Sequence, residues 1–159
     1  MELNTILISA FLSILPISEL RGAIPYALAN GIPLVAAYPL CVGLNALVAP
    51  LVFLFLSTFH KLFLKMGWYD RFFTKFIESA RHKVQEKVDK YGYLGIMFFV
   101  AIPLPITGAY TGTLGAWILG MSKRKTILAA LGGVIISGII VSIVATLGVQ
   151  AFSFFIKEI

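Results

Sequence analysis

The sequence predicts an all-α integral membrane protein. Its expected plan is an inverted repeat, in which a re-entrant helical hairpin followed by one transmembrane helix occurs twice, with a cytoplasmic amphipathic helix between the halves. Three observations carry this. The chain is 59% hydrophobic with a mean hydropathy of +0.94, which leaves too little polar surface to cover a soluble core. Two apolar stretches are long enough to span a bilayer. Eleven of the thirteen Lys and Arg residues are gathered in residues 58–91 and at Lys123-Arg124-Lys125. The expected organisation is one membrane domain, 1–159. Repeat 1 covers 1–57 (re-entrant 3–33, span 34–57), a basic amphipathic linker covers 58–91, and repeat 2 covers 92–159 (re-entrant 92–120, span 126–156).

The elements follow in order. Residues 3–18 are apolar, and the start MELNTILISAFLSILP lacks the basic leader of a secretory signal, so no cleavage is expected. LPISELRGAIP then interrupts the apolar run between Pro16 and Pro25. Residues 34–57 run for 24 residues without a charge, against about 20 needed to cross the hydrocarbon at 1.5 Å each. Residues 58–91 repeat apolar positions at helical spacing, Val84 and Val88 among them, between eight basic and four acidic residues. This is the pattern of a helix lying in the membrane interface. Its basic face reads as a lipid-headgroup anchor.

Basic residues close to spans stay on the cytoplasmic side. Residues 58–91 and 123–125 are therefore both expected in the cytoplasm, and both termini outside, in a multi-pass cell (cytoplasmic or inner) membrane protein. Only 29 residues, 92–120, lie between these two basic regions, where two complete spans and a turn need roughly 40 or more. The expectation is that this segment dips in and returns, with Pro103, Pro105 and Thr107-Gly108 at the break. The first half repeats the plan. A shift of 89 positions lays Leu15-Pro16-Ile17-Ser18 on Leu104-Pro105-Ile106-Thr107, Gly31 on Gly120 and Gly43 on Gly132. One span separates the halves, so they enter from opposite faces, a transporter architecture with its site at the repeat interface.

Glu19 and Arg21 are the two charges that lie away from the termini and the basic regions. A charge near the bilayer centre costs on the order of 2.5 to 3.5 kcal/mol or more and usually has a partner and a function. In broken, extended backbone the two side chains share a side and meet. Ser18 and Thr107 are expected as N-caps of the two half-helices. The helix N-termini together with Arg21 suit a phosphate or carboxylate, and Glu19 either neutralises Arg21 or carries a proton. A structural reading stands beside this one, in which the pair only locks the break. Thr107, Tyr110, Thr111 and Asn45 supply polar groups to the site or bond neighbouring helices. Gly108, Gly112, Ala116 and Gly120 form a small-residue ladder that reads as a packing face. Cys41 is the single cysteine, without an internal partner. No cofactor, metal site, nucleic-acid partner or enzymatic constellation is expected.

The stretches SELRGAIPYALANGIP and IPLPITGAYTGTLGAWILG, separated by a span and a basic amphipathic region, resemble the small multidrug export protein family. That family is similar to the DedA and VTT superfamily, whose members have paired re-entrant loops and are implicated in moving polyprenyl-phosphate or phospholipid across membranes. The resemblance implies Glu19, Arg21, Gly22 and Pro25 in the first loop, and Pro103, Pro105, Thr107, Gly108 and Tyr110 in the second. DedA-type second loops usually carry arginines, whereas IPLPITGAYTG has none. The expected function is a transporter or flippase for an amphiphilic anionic substrate, proton-coupled at Glu19 and Arg21. The alternatives are a proton-coupled exporter of lipophilic drugs and a non-transporting scaffold. A homodimer or larger assembly in contact with membrane lipids is expected, because the bundle is small.

Overall fold

The computed structural model describes residues 3–58, 78, 84–104 and 107–157, with side chains described as far as residue 148. Most of the amphipathic linker, and Pro105 with it, lies outside the described residues. Every regular element among the described residues is helical: α1 (Leu3–Ile14), α2 (Glu19–Ala29), α3 (Leu34–Ala46), α4 (Val48–Thr58), α5 (Tyr93–Ala101), α6 (Ala109–Ile118) and α7 (Lys123–Lys157). The chain forms two units, Met1–Asn45 with Ile135–Ile159, and Ala46–Val134.

In the first unit, α1 folds back on α2. The α1 helix is inside out by the standard of a soluble protein. It buries Thr5, Ser9 and Ser13 and exposes Leu3, Leu7 and Phe11. The four-residue spacing puts the hydroxyls on one face. Ser9 Oγ donates to the Thr5 carbonyl at 2.7 Å and Ser13 Oγ to the Ser9 carbonyl at 2.8 Å, so each is satisfied within its own helix. Small polar side chains at a helix contact with leucines turned outward is the arrangement lipid selects, since hydrocarbon gives no reason to withdraw leucine from it. On α2, Leu20, Ala23, Ile24 and Ala27 are buried, and Ile6 of α1 packs against the cluster that holds Ala27.

Two stretches are long and apolar enough to cross a membrane, Leu34–Thr58 and Lys123–Gly148. With the family reported below, they make this an integral membrane protein. The first is not one smooth helix as its unbroken hydropathy suggests: α3 stops at Ala46 and α4 restarts at Val48. Pro50 explains the interruption. It has no N–H for the Ala46 carbonyl four residues back, and its ring crowds that carbonyl. Pro39 leaves no such break, and α3 runs through it from Leu34 to Ala46.

In the second unit, α6 packs on both α4 and α5. Leu56 and Leu114 form the α4 contact, with Val52, Trp117 and Ile118 around them. From Ala109 to Ala116, α6 is buried at every residue but Tyr110. Gly112 admits Val100 and Phe99, and Gly115 admits Val84. The small-residue ladder is thus, at Gly112, a packing face inside the chain. Residues 84–91 are helical, and Val84, expected on the apolar face of an interfacial helix, is fully buried against α6.

Candidate functional site

The residues between α1 and α2 build a tight turn. The Ser18 and Glu19 amides donate to the Leu15 carbonyl at 3.1 and 3.0 Å, which closes the chain over Pro16 and Ile17. Glu19 then takes φ +47, the one positive value at a non-glycine residue among those described. This left-handed conformation is what reverses the chain into α2, and for a residue with a Cβ it costs about 1 to 2 kcal/mol. The strain falls on one of the two charges that lie away from the termini and the basic regions.

Arg21 sits in the first turn of α2 and not in extended backbone. Its guanidinium folds back on the turn, where Nε donates to the Ile17 carbonyl at 3.1 Å and a terminal nitrogen donates to the same oxygen. Glu19 and Arg21 are both half-buried. Ser18 occupies the N-cap position but is in helical backbone and makes no capping bond. Its side chain lies instead against Gly22, where an added Cβ would collide with Oγ. Pro25 does not break the chain, since α2 continues through it to Ala29.

Asn45 is fully buried on α3, and its amide donates to the Ser13 carbonyl at 2.7 Å. Ser13 lies in the last turn of α1, where carbonyls have no partner within the helix. Asn45 thus caps α1.

The second hairpin uses different chemistry at its break. The α6 N-cap is Gly108, with φ 142 and ψ −170, a conformation open essentially to glycine alone. Thr107, expected as the cap, stitches the loop. Its hydroxyl reaches the Ile102 and Leu104 carbonyls, both at 2.8 Å, and accepts from the Leu104 amide at 3.2 Å. Pro103 is in that non-helical loop. Tyr110 is half-buried and Thr111 buried on α6. The expected site residues therefore divide between the units. Glu19, Arg21, Gly22, Pro25 and Asn45 belong to the first, and Thr107, Gly108, Tyr110 and Thr111 to the second.

The two ends of the second hairpin lie together. Tyr93, which opens α5, accepts a hydrogen bond on its phenol oxygen from the Ser122 amide at 3.1 Å. Lys125 Nζ stands 5.5 Å from the Tyr93 ring centroid, and Lys123 Nζ stands 6.0 Å from that of Phe53 in the middle of α4, both within cation–π reach. The segment between 93 and 122 leaves and returns to one place. Its helices, of nine and ten residues, are each only about 14 to 15 Å long.

Reading the sequence did not single out three buried hydroxyls, those of Thr113, Thr126 and Ser142, which have no hydrogen-bond partner among the described residues. Isolated Ser and Thr in apolar helices ordinarily bond their own backbone, so nothing in the pattern distinguishes these.

A family model described as "Putative small multi-drug export protein" matches residues 19–140. That range begins at Glu19, the first residue of α2, and takes in the second hairpin break. No curated protein and no solved structure matches the chain.

Proposed function

We propose, from the premise that the chain belongs to the small multi-drug export protein family, that it is a transporter or flippase of the DedA-like type. It moves an amphiphilic substrate with a phosphate or carboxylate head, coupled to protons at Glu19 and Arg21. The observation that carries this reading is the strained left-handed backbone of Glu19 at the tip of a short hairpin. Strain of this kind persists where the surrounding structure holds it, and it gathers at working sites.

The helices of both hairpins have nine to twelve residues, well short of the roughly 20 needed to span. Each hairpin therefore re-enters the membrane from one face, and the two form an inverted repeat. Residues 58–91 and 123–125 face the cytoplasm and the termini face outside. Arg21 supplies the positive charge for the anionic head, and Glu19 supplies the proton site. The protein works as a homodimer or larger assembly in the cell membrane and catalyses no covalent chemistry. The family's description favours a second reading, export of lipophilic drugs, in which Glu19 exchanges a cation for protons. Arg21 two residues away opposes that cation.

Reconstitution of the full chain into liposomes with an imposed pH gradient tests both. A fluorescent phosphate-bearing lipid is expected to cross with wild type and to slow at least tenfold with Glu19→Gln and with Arg21→Ala. Ethidium movement lost with Glu19→Gln but kept with Arg21→Ala establishes the second reading instead. Movement of neither by folded protein leaves a scaffold.

A further inference from the structure

The second unit gathers three cations at the head of α7 and leaves them without a counter-ion among the described residues. Lys123, Arg124 and Lys125 are consecutive and exposed, and the first turn of α7 holds no acid. Glu78, Glu86 and Asp89 belong to the same unit, yet none of the three cations makes an ion pair with a carboxylate among the described residues.

Two of these cations are held in place. Lys125 Nζ stands 5.5 Å from the ring centroid of Tyr93 and Lys123 Nζ 6.0 Å from that of Phe53. A ring face attracts an ammonium without neutralising it. The Tyr93 oxygen accepts from the Ser122 amide, which leaves its own hydrogen to be donated elsewhere. The cluster thus offers positive charge and hydrogen-bond donors, the complement of a phosphate oxygen.

The chain itself sets the depth. Lys123 opens a stretch long and apolar enough to cross a membrane, Lys123–Gly148, and Tyr93 opens the uncharged helix α5. Three adjacent cations stay out of hydrocarbon while the apolar helix behind them stays in it, so the cluster stands at the boundary where lipid phosphates lie.

We propose that Lys123, Arg124, Lys125 and Tyr93 bind the headgroup phosphate of one anionic glycerophospholipid, which bridges the starts of α5 and α7. The cluster belongs to the second unit, whereas Glu19 and Arg21 belong to the first, and its test reads binding and not transport.

Native mass spectrometry of the full chain, purified with equal amounts of phosphatidylglycerol and phosphatidylcholine of one acyl composition, decides it. Wild type is expected to retain one phosphatidylglycerol at least about tenfold better than phosphatidylcholine, and Arg124→Ala and Lys125→Ala are each expected to lose about fivefold of that retention. Lys157→Ala removes the same charge from the other end of α7 and is expected to behave as wild type. Inorganic phosphate in excess is expected not to displace the lipid. Equal retention of the two lipids by wild type would overturn the proposal without reliance on any variant. A loss with Lys157→Ala as large as with Lys125→Ala would reduce the preference to net charge, and displacement by inorganic phosphate would make the ligand a free anion. Either result refutes the lipid site.

Discussion

The phenol oxygen of Tyr93 accepts the backbone amide of Ser122 at 3.1 Å, joining the first residue of α5 to the residue just before α7. A hydrogen bond between those two points cannot form across a bilayer about 30 Å thick. Single cysteines at positions 92 and 122, in a Cys41→Ala background, are therefore expected to react with an impermeant maleimide from the same face. A cysteine at position 30 is expected to react from the other. Labelling of 92 and 122 from opposite faces would mean that the segment crosses, and the inverted repeat would fall.

Asn45 holds α1 to α3 through a single bond to the Ser13 carbonyl. Side-chain bonds between membrane helices average about 0.6 kcal/mol and reach about 1.7, and this one is buried and caps a helix end. Asn45→Ala is expected to cost roughly 1 to 2 kcal/mol in detergent unfolding. Asn45→Asp is expected to cost at least as much, because an ionised carboxylate has no hydrogen to donate. If Asn45→Asp unfolds like wild type, the amide is not the cap.

Two glycines separate packing from propensity. A Cβ at Gly95 would run into the backbone carbonyl of Lys87, whereas one at Gly43 meets nothing within 4 Å. Gly95→Ala is expected to destabilise by about 1 to 3 kcal/mol, since a backbone carbonyl cannot turn aside as a side chain can. Gly43→Ala, in mid-helix, is expected to be neutral or to gain up to about 1 kcal/mol. Thermal unfolding of the two purified variants checks the ordering, and the opposite order would refute the packing described for α5.

The membrane class and the places where the chain turns were legible because hydropathy, proline and glycine act locally. Gly31 and Gly120, paired by the shift of 89, both take positive φ, at 82 and 68. Each closes a helix with the same pair of bonds, Ile32 to Ala27 and Gly31 to Leu28 in one, Met121 to Ala116 and Gly120 to Trp117 in the other. The chemistry of the breaks was not legible. Ser18 and Thr107 have the composition of N-caps, yet Ser18 folds onto Gly22 and Thr107 ties its own loop, because the capping backbone is set by Glu19 and Gly108. A left-handed glutamate cannot be foreseen from propensity, which puts glycine there. Val84 was read as interfacial because periodicity shows that a face is apolar without saying whether lipid or Gly115 covers it.

Thr107 concentrates three bonds of the second break on one hydroxyl. Thr107→Ser keeps the oxygen and is expected to retain stability and transport together. Thr107→Val keeps the shape and removes these bonds, while the Leu104 amide keeps the Ile102 carbonyl at 2.9 Å, and it is expected to lose about 0.5 to 1.5 kcal/mol. A Thr107→Val variant that unfolds like wild type but no longer transports would move Thr107 from the loop's support to the substrate's path.

Glu19 allows the sharpest separation of function from structure. Its φ of +47 is a conformation that glycine adopts freely and asparagine tolerates. If the carboxylate is retained for proton coupling, its backbone strain is a cost borne at the turn. Glu19→Gly then relieves about 1 to 2 kcal/mol of that strain, offset by about 0.5 to 1 kcal/mol of extra chain entropy. The variant is expected to unfold at or slightly above the wild-type temperature while proton-coupled transport disappears, and Glu19→Asn is expected to do the same. Were the glutamate instead a lock on the hairpin, both variants would unfold at lower temperature in step with their loss of activity. Unfolding midpoint and liposome flux, measured on the same preparations, distinguish the two cases.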